Sequence, residues 1–174
     1  VARAATWLSQ TRHRVAVEPY CTARYQRFAG TDDARLAALQ AVAADPAVDV
    51  AMAVRGGYGW TRLIARLDYT LLARARKRWL GHSDFTAFQL AALAQAGMTT
   101  YAGPMAAFDF GAVPPSGYTV DHCFGVLESR EHAIDCMLDG PDIDVEGQLW
   151  GGNLAMCATL VGTPYFPRVD GGIL

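Results

Sequence analysis

Lysine is scarce in this sequence, which has a single one, Lys77, among its 174 residues. Its 15 Lys and Arg residues are outnumbered by 17 Asp and Glu residues, so the formal net charge is −2. A nucleic-acid-binding domain needs Lys and Arg clustered on one surface, whereas these arginines are scattered along the chain. We therefore expect no nucleic-acid partner.

Long apolar runs and paired cysteines are also absent. No apolar run reaches the roughly 18 to 20 residues that cross a bilayer, and the start lacks the pattern of a secretion signal. The four cysteines are widely spaced, without a Cys-x-x-Cys pair, which favours reduced thiols in a cytoplasmic protein without membrane contact. His122-Cys123 and His132 with Cys136 lack the short paired spacing of structural zinc, so we expect no metal.

Hydrophobic residues make up 52% of the chain and charged residues 18%, enough for a sizeable core. Apolar patterns predict alternating helices and strands. Helices are predicted at 1–10, from Thr31 to Asp45-Pro46, and at 60–67, 69–76 and 86–96; strands are predicted at 14–17, 48–54 and 78–82. This alternation is typical of an α/β fold with a layered, mostly parallel sheet, of Rossmann-like type.

The pattern changes after Gly111, where a Pro- and Gly-rich stretch is followed by an acidic, less regular segment. We predict an α/β domain at 1–112, a linker region at 113–145 and the beginning of a second domain at 146–174, with a helix at Leu154–Leu160. Val1 lies within a predicted helix and residues 171–174 resemble the start of a strand. We therefore expect that both ends are cut and that a further strand precedes Val1.

Ser83 lies where a predicted strand ends and a helix begins. Ligands of open α/β sheets bind at the carboxyl ends of the strands, and a serine at such a turn can present its hydroxyl beside free N–H groups of the helix. The alternative is that Ser83 only caps the helix, because Ser-Asp-x-Thr is common capping chemistry. Phe85 replaces the second glycine of the esterase pattern Gly-x-Ser-x-Gly, which disfavours an ordinary α/β-hydrolase.

The segment Arg55-Gly-Gly-Tyr-Gly59 also joins a predicted strand to a helix. Its glycines permit positive φ angles and a close approach of the backbone to a ligand. The segment matches neither the Walker loop nor the dinucleotide-binding spacing. It could hold an oxyanion or a phosphate, and a purely structural turn is an equal alternative.

Taken together, an ordered series of motifs resembles the LD-carboxypeptidase family, which includes the microcin-immunity peptidases. The motifs are Val54-Arg-Gly-Gly-Tyr-Gly59, Arg62-Leu63, Leu67-Asp-Tyr69, Gly81-His-Ser-Asp-Phe-Thr86, Gly103-Pro-Met105, Gly147-Gln-Leu-Trp-Gly-Gly-Asn-Leu154 and Gly162-Thr-Pro-Tyr165. The resemblance implies Ser83 as the nucleophile and an oxyanion hole formed by the N–H groups of Gly57 (or Gly56) and Asp84. Arg55, Gly56 and Tyr58 are then candidates for the substrate loop.

The resemblance implies a cytoplasmic homodimer without a cofactor, which acts in peptidoglycan recycling. The reaction would release terminal D-alanine from the L-centre of diaminopimelate in a murein tetrapeptide. Alternatives are an immunity-type peptidase that cleaves a peptidyl-nucleotide, and a non-catalytic peptide-binding homologue. The family's catalytic Glu and His are expected beyond Leu174, which would leave this chain inactive. His82 stands where relatives commonly have an aromatic residue, and we expect it to be a rim residue.

Overall fold

A parallel sheet organises the fold of the computed structural model, which describes residues 1–137 and 139–174. Its three strands lie in the order β1 (Val50–Met52), β2 (Arg78–Gly81) and β3 (Tyr101–Ala102). Val50 pairs with Arg78, and Leu80 pairs with Tyr101. This arrangement confirms the predicted α/β class with a parallel sheet.

Six α-helices surround this sheet in the described part of the chain. They are α1 (Ala2–Ser9), α2 (Asp32–Ala44), α3 (Tyr69–Ala75), α4 (Thr86–Ala96), α5 (Gly117–Glu128) and α6 (Leu154–Leu160). Short 3₁₀ turns lie at Pro19–Thr22, Trp60–Arg62, Ile64–Arg66 and Ser83–Phe85, and a π-helical turn lies at Ala106–Phe110. None of these helices is long and apolar enough to cross a membrane.

The local signals that predicted α2 and α4 are confirmed. The Thr31 hydroxyl accepts a hydrogen bond from the Ala34 N–H at 3.2 Å, which satisfies one of the free donors at the start of α2. Helix α4 ends at Gly97, whose φ of +60° gives the left-handed cap that stops a helix.

Two predicted elements are not formed as expected. Residues 14–17 form no strand: Val15 packs against the core, but no neighbouring strand pairs with this segment within the described residues. The predicted helix at 60–67 is instead two 3₁₀ turns. The Tyr69 hydroxyl donates a hydrogen bond to the Ile64 carbonyl at 2.7 Å, so a side chain satisfies this acceptor at the end of the turns.

The segment after Gly111, predicted to be irregular, contains α5. Ser116 caps this helix by accepting a hydrogen bond from the Thr119 N–H at 3.3 Å. Cys123 and Leu127 face inward and pack with Leu8 of α1. The strand β3 was also not predicted, since its two residues are too few to give a pattern. The predicted domain division at 1–112, 113–145 and 146–174 stays a prediction.

An aromatic cluster supports the junction between β2 and α4. The Phe88 ring is fully buried, and its centroid lies 4.9 Å from that of Phe85, 5.0 Å from that of Trp60 and 5.4 Å from that of Trp79. Truncating a buried Phe of this kind to Ala typically costs about 3 to 5 kcal/mol of stability. The first turn of α4 is therefore held rigidly, and so is Phe85, the residue that precedes it.

Candidate active site

Ser83 lies at a sharp turn between strand β2 and helix α4. Its φ is +62°, in the left-handed region that costs a non-glycine residue about 1 to 2 kcal/mol. Neither Ser83 nor its neighbours cap the helix through a side chain, so the interpretation of Ser83 as a helix cap is wrong. The strained strand–turn–helix geometry is the one that presents a nucleophile above a sheet.

The loop after β1 approaches Ser83 so closely that position 56 must be glycine. A Cβ built on Gly56 would lie 2.9 Å from both Cβ and Oγ of Ser83, and 3.6 Å from Cε of Met105. Contacts below 3.0 Å force a displacement, so a side chain at position 56 would collide with Ser83. Met105, which precedes the π-helical turn, supports the loop from the other side. The structure thus brings together two segments that the sequence separates.

The two N–H groups expected to form an oxyanion hole, those of Gly57 and Asp84, are free of hydrogen bonds in the described part of the chain. Gly57 has a φ of +138°, a conformation that glycine adopts readily. Within residues 1–137 and 139–174, the N–H groups of Gly57 and Asp84 donate no hydrogen bond to another protein atom. Pairs of uncommitted N–H groups next to a serine hydroxyl are suited to stabilising a developing oxyanion.

The Asp84 carboxyl links the serine turn to the glycine loop. It is buried, and its Oδ2 accepts a hydrogen bond from the Trp60 N–H at 3.2 Å, at the far end of the loop. Its Oδ1 has no hydrogen-bond partner in the described part of the chain. Burial raises the pKa of the Asp84 carboxyl, an effect opposed by the Trp60 hydrogen bond and by the charge of Arg35. The side chain thus fixes the distance between the two segments.

The segment at 147–153 reaches the same turn through α4. The Asn153 N–H donates to Oγ1 of Thr86 at 3.1 Å, and a Cβ on Gly152 would lie 2.6 Å from that oxygen. Gly152 has a φ of +138°. The glycine pair Gly151-Gly152 therefore lets this segment pack directly against the first residue of the helix that follows Ser83.

Tyr58 and Arg55 lie on the exposed side of the loop. The Tyr58 hydroxyl accepts a hydrogen bond from Nη1 of Arg27 at 2.8 Å, and its ring meets that of Phe28 edge-on at 6.3 Å. The guanidinium of Arg55 lies over Gly57, with Nη1 3.6 Å from where a Cβ would be. Arg27 was not found by sequence reasoning, because no local pattern connects residues so far apart in the chain.

A group of ion-paired side chains, Asp32 with Arg35 and Arg62, lies at the end of the loop, and we call it the charged clamp. Asp32 forms ion pairs with Arg35 and Arg62, and both guanidinium groups lie over the Phe28 ring, at 4.6 and 5.3 Å from its centroid. A Cβ on Gly59 would lie 2.7 Å from that ring. Hydrogen bonds from Arg62 and then Arg35 lower the pKa of Asp32 to about 2.

Three of the four histidines interact with groups other than Ser83. His13 lies 3.3 Å from Glu128 and stacks on Phe124, and Nδ1 of His122 lies 2.7 Å from Nε2 of His132. His82 has an extended backbone and is exposed. In the described residues, no histidine is hydrogen-bonded to the Ser83 hydroxyl. The structure therefore does not assemble a serine–histidine pair from these residues.

Comparisons with known proteins agree with these motifs. The family model of the LD-carboxypeptidase N-terminal domain matches residues 1–103, and that of the C-terminal domain matches residues 146–174. A relative from Streptomyces coelicolor, provisionally named a carboxypeptidase, is 36% identical over 91% of this chain and 53% of its own length. The chain spans about half the length of the curated relatives it matches.

Solved structures extend the likeness to the fold. A muramoyltetrapeptide carboxypeptidase from Oxalobacter formigenes superposes with a TM-score of 0.91 at 40% identity, over 99% of this chain and 59% of that one. A microcin C7 self-immunity protein in complex with adenosine monophosphate superposes with a TM-score of 0.86 at 22% identity, over 99% of this chain and 61% of that one. At that identity the second likeness shows the fold alone.

Proposed function

This chain belongs to the LD-carboxypeptidase family, and from that premise we propose that the protein is a serine peptidase with Ser83 as its nucleophile. Its proposed reaction releases terminal D-alanine from the L-centre of diaminopimelate in a murein tetrapeptide. The observation that carries the proposal is the strained Ser83 at the turn between β2 and α4, beside a glycine loop in which a Cβ on Gly56 would lie 2.9 Å from the Ser83 hydroxyl oxygen.

In the proposed first step, Oγ of Ser83 attacks the carbonyl carbon of the scissile bond. Its proton passes to a general base and then to the leaving nitrogen, so that D-alanine departs and the peptide remains as an ester on Ser83. Water activated by the same base hydrolyses the ester in the second step. The reaction needs no cofactor.

The N–H groups of Gly57 and Asp84 are the proposed oxyanion donors. Both are uncommitted among the described residues, and both are adjacent in sequence to residues that lie close together at the site, Gly56 and Ser83. One such donor typically lowers the barrier by about 3 to 4 kcal/mol. Arg55, Gly56 and Tyr58 form the proposed substrate loop beside this pair.

The proposed general base is a histidine outside residues 1–174, oriented by a glutamate that is also outside them. Support comes from three of the four histidines, His13, His122 and His132, whose hydrogen bond and ion pair are made with groups other than Ser83, whereas the exposed His82 side chain makes neither in the described part of the chain. A base must come within about 2.6 to 3.2 Å of the proton that it removes. The 174-residue chain alone is therefore proposed to be inactive.

The decisive experiment is an assay of D-alanine release from murein tetrapeptide by the full-length protein and its Ser83→Ala variant. We expect release by the wild type and a loss on the order of 10⁶-fold in the variant. Ser9→Ala, at the exposed end of α1, is the matched control and should retain full activity. Retention of more than about one per cent of activity by Ser83→Ala would contradict the role of the serine.

Two other outcomes identify the alternative functions. Cleavage of a peptidyl-nucleotide without D-alanine release would indicate an immunity-type peptidase, whereas tetrapeptide binding without turnover would indicate a non-catalytic homologue. The proposed setting is a cytoplasmic homodimer that acts in peptidoglycan recycling. The four free cysteines agree with a reducing compartment, and sedimentation of the full-length protein would test the dimer.

A further inference from the structure

Most arginines around the candidate site are neutralised by neighbours. Arg35 and Arg62 form ion pairs with Asp32, and Arg66 forms one with Asp33. Arg55 differs, because within residues 1–137 and 139–174 its guanidinium makes no ion pair and no hydrogen bond. A cation that the fold leaves without an acidic neighbour is available to an anionic ligand.

The position of Arg55 places this cation beside the reactive serine. Arg55 directly precedes Gly56, where an added Cβ would lie 2.9 Å from the Ser83 hydroxyl oxygen. Its side chain turns along the loop, so that Nη1 lies 3.6 Å and Cζ 3.9 Å from where a Cβ of Gly57 would be. The guanidinium therefore lies next to Gly57, whose N–H is one of the proposed oxyanion donors, and it is exposed to an incoming ligand.

The chemistry of a carboxypeptidase supplies a matching anion. Such an enzyme cleaves one residue from a free carboxyl end, and the terminal carboxylate carbon lies within about 4 Å of the attacked carbonyl carbon. A cation that recognises this carboxylate must therefore lie close to the oxyanion donors. The planar guanidinium fork of arginine binds a carboxylate through two parallel hydrogen bonds.

We propose that Arg55 binds the terminal carboxylate of the peptide substrate and so restricts the enzyme to the last residue of the chain. This inference rests on the proposed carboxypeptidase function. Arg27 is less suited to the task, because its Nη1 already donates to the Tyr58 hydroxyl and its segment joins the loop at Tyr58 rather than at Gly56.

A substrate with a C-terminal carboxamide isolates this contact, because it removes the negative charge and leaves the scissile bond unchanged. For the full-length wild type, kcat/KM should be about 10- to 100-fold lower for the carboxamide tetrapeptide than for the free acid, the loss expected for one charged hydrogen-bonded pair. In Arg55→Gln, kcat/KM for the free-acid tetrapeptide should fall to its value for the carboxamide. The variant should therefore hydrolyse the two substrates with nearly equal kcat/KM. Arg55→Lys should recover part of the preference.

Arg74→Gln is the matched control, since Arg74 is exposed on α3 away from the loop, and it should keep the wild-type preference for the free acid. Binding of both peptides to Ser83→Ala, with and without Arg55→Gln, gives a readout independent of turnover and should show the same pattern.

The outcomes separate the two proposals. If the wild type prefers the free acid and Arg55→Gln keeps that preference, the role of Arg55 is wrong while the carboxypeptidase function stands. If the wild type hydrolyses acid and carboxamide equally well, the carboxypeptidase function itself is wrong, and the inference about Arg55 fails with it.

Discussion

Gly56 and Ser83 lie so close together that a side chain at position 56 would collide with Ser83. A Cβ there would lie 2.9 Å from the Ser83 hydroxyl oxygen. The two residues come from different strand ends of the parallel sheet, β1 and β2, so their close approach joins the glycine loop to the serine turn. A change at either residue must therefore affect the other.

Gly56→Ala should reduce activity far more than its effect on folding would suggest. The added methyl group must displace either the hydroxyl or the loop, which moves the proposed nucleophile relative to its oxyanion donors. We expect kcat/KM to fall by about 100-fold or more, the scale of a lost oxyanion donor. Overpacking should reduce the free energy of unfolding by about 1 to 3 kcal/mol. Turnover and urea denaturation measure the two effects.

Gly97→Ala is the control for that experiment. Gly97 also has a positive φ, +60°, but a Cβ there would meet nothing within 4 Å. Its substitution should cost about 1 to 2 kcal/mol of stability through backbone strain alone and leave turnover unchanged. If Gly56→Ala and Gly97→Ala have equal turnover, the glycine loop is only a structural turn.

Ser83→Gly should be more stable than Ser83→Ala, although both should be inactive. The left-handed conformation of residue 83 strains any side chain, whereas glycine adopts it readily. The expected difference in the free energy of unfolding is about 1 kcal/mol, measured by urea denaturation. An Ala variant more stable than the Gly variant would show that position 83 is not strained in solution.

The elements with strong local signals were the ones that the sequence could predict. Thr31 caps the start of α2 and Asp45-Pro46 follows its end, and both signals act within one helical turn. Ser83 could be placed at a strand-to-helix turn because an apolar run ends just before it. Helix α5 was not predicted because glycines at 117 and 125 interrupt the apolar spacing of its sequence.

The contacts that build the site could not be predicted in this way. Gly56 meets Ser83, and Thr86 meets Gly152, only after the chain has folded into neighbouring segments. The hydrogen bond between Arg27 and Tyr58 joins residues 31 positions apart. Family motifs indicated which residues matter, whereas their contacts depend on packing that no local pattern encodes.

Asp84→Asn should distinguish the role of the Asp84 side chain from that of its backbone N–H. An asparagine can still accept the Trp60 hydrogen bond, so we expect kcat/KM within about tenfold of the wild type, because the proposed oxyanion donor remains. Asp84→Ala removes the acceptor from a buried N–H and should cost about 1 to 3 kcal/mol of stability. Activity of Asp84→Ala equal to that of Asp84→Asn would show that the link to Trp60 does not position the site.

The raised pKa of Asp84 adds a pH dependence to the same comparison. Between the ordinary and the raised pKa, the native state binds more protons than the unfolded state, so this group reduces stability as the pH rises through that window. Asp84→Asn lacks the effect. Its stability relative to the wild type should therefore increase from about pH 4 upwards, as measured by thermal denaturation.

Asp32→Asn should destabilise the protein at neutral pH and have little effect in strong acid. Arg62 and Arg35 hold the pKa of Asp32 at about 2, below its ordinary value of 3.8. The contribution of a lowered carboxyl pKa is fully present above the ordinary value and is lost as the pH falls through the lowered one. After allowance for solvent screening, we expect Asp32→Asn to reduce the free energy of unfolding by about 1 kcal/mol at pH 7. We expect this reduction to vanish near pH 2.

Asp33→Asn is the matched control for Asp32, since it removes an ion pair from the adjacent residue. The Asp33 side chain is 83% exposed, compared with 20% for Asp32, and exposed pairs contribute little. At neutral pH, Asp33→Asn should reduce the free energy of unfolding clearly less than Asp32→Asn does. Equal effects of the two substitutions would show that the clamp over Phe28 adds nothing beyond surface charge.

The 174-residue chain by itself should fold and yet release no D-alanine. A serine hydroxyl without a base is a weak nucleophile, and the structure engages His13 with Glu128 and His122 with His132. The measurement compares D-alanine release by this chain and by the full-length protein, with circular dichroism to verify that both are folded. We expect release by the full-length protein alone. Turnover by the 174-residue chain that disappears in His82→Ala would identify His82, the residue next to Ser83, as the base. It would contradict a base outside this chain.

Turnover that is unchanged in His82→Ala but disappears in His122→Ala or His132→Ala would contradict it equally. In that case the His122–His132 pair would have to break its own hydrogen bond to reach the serine.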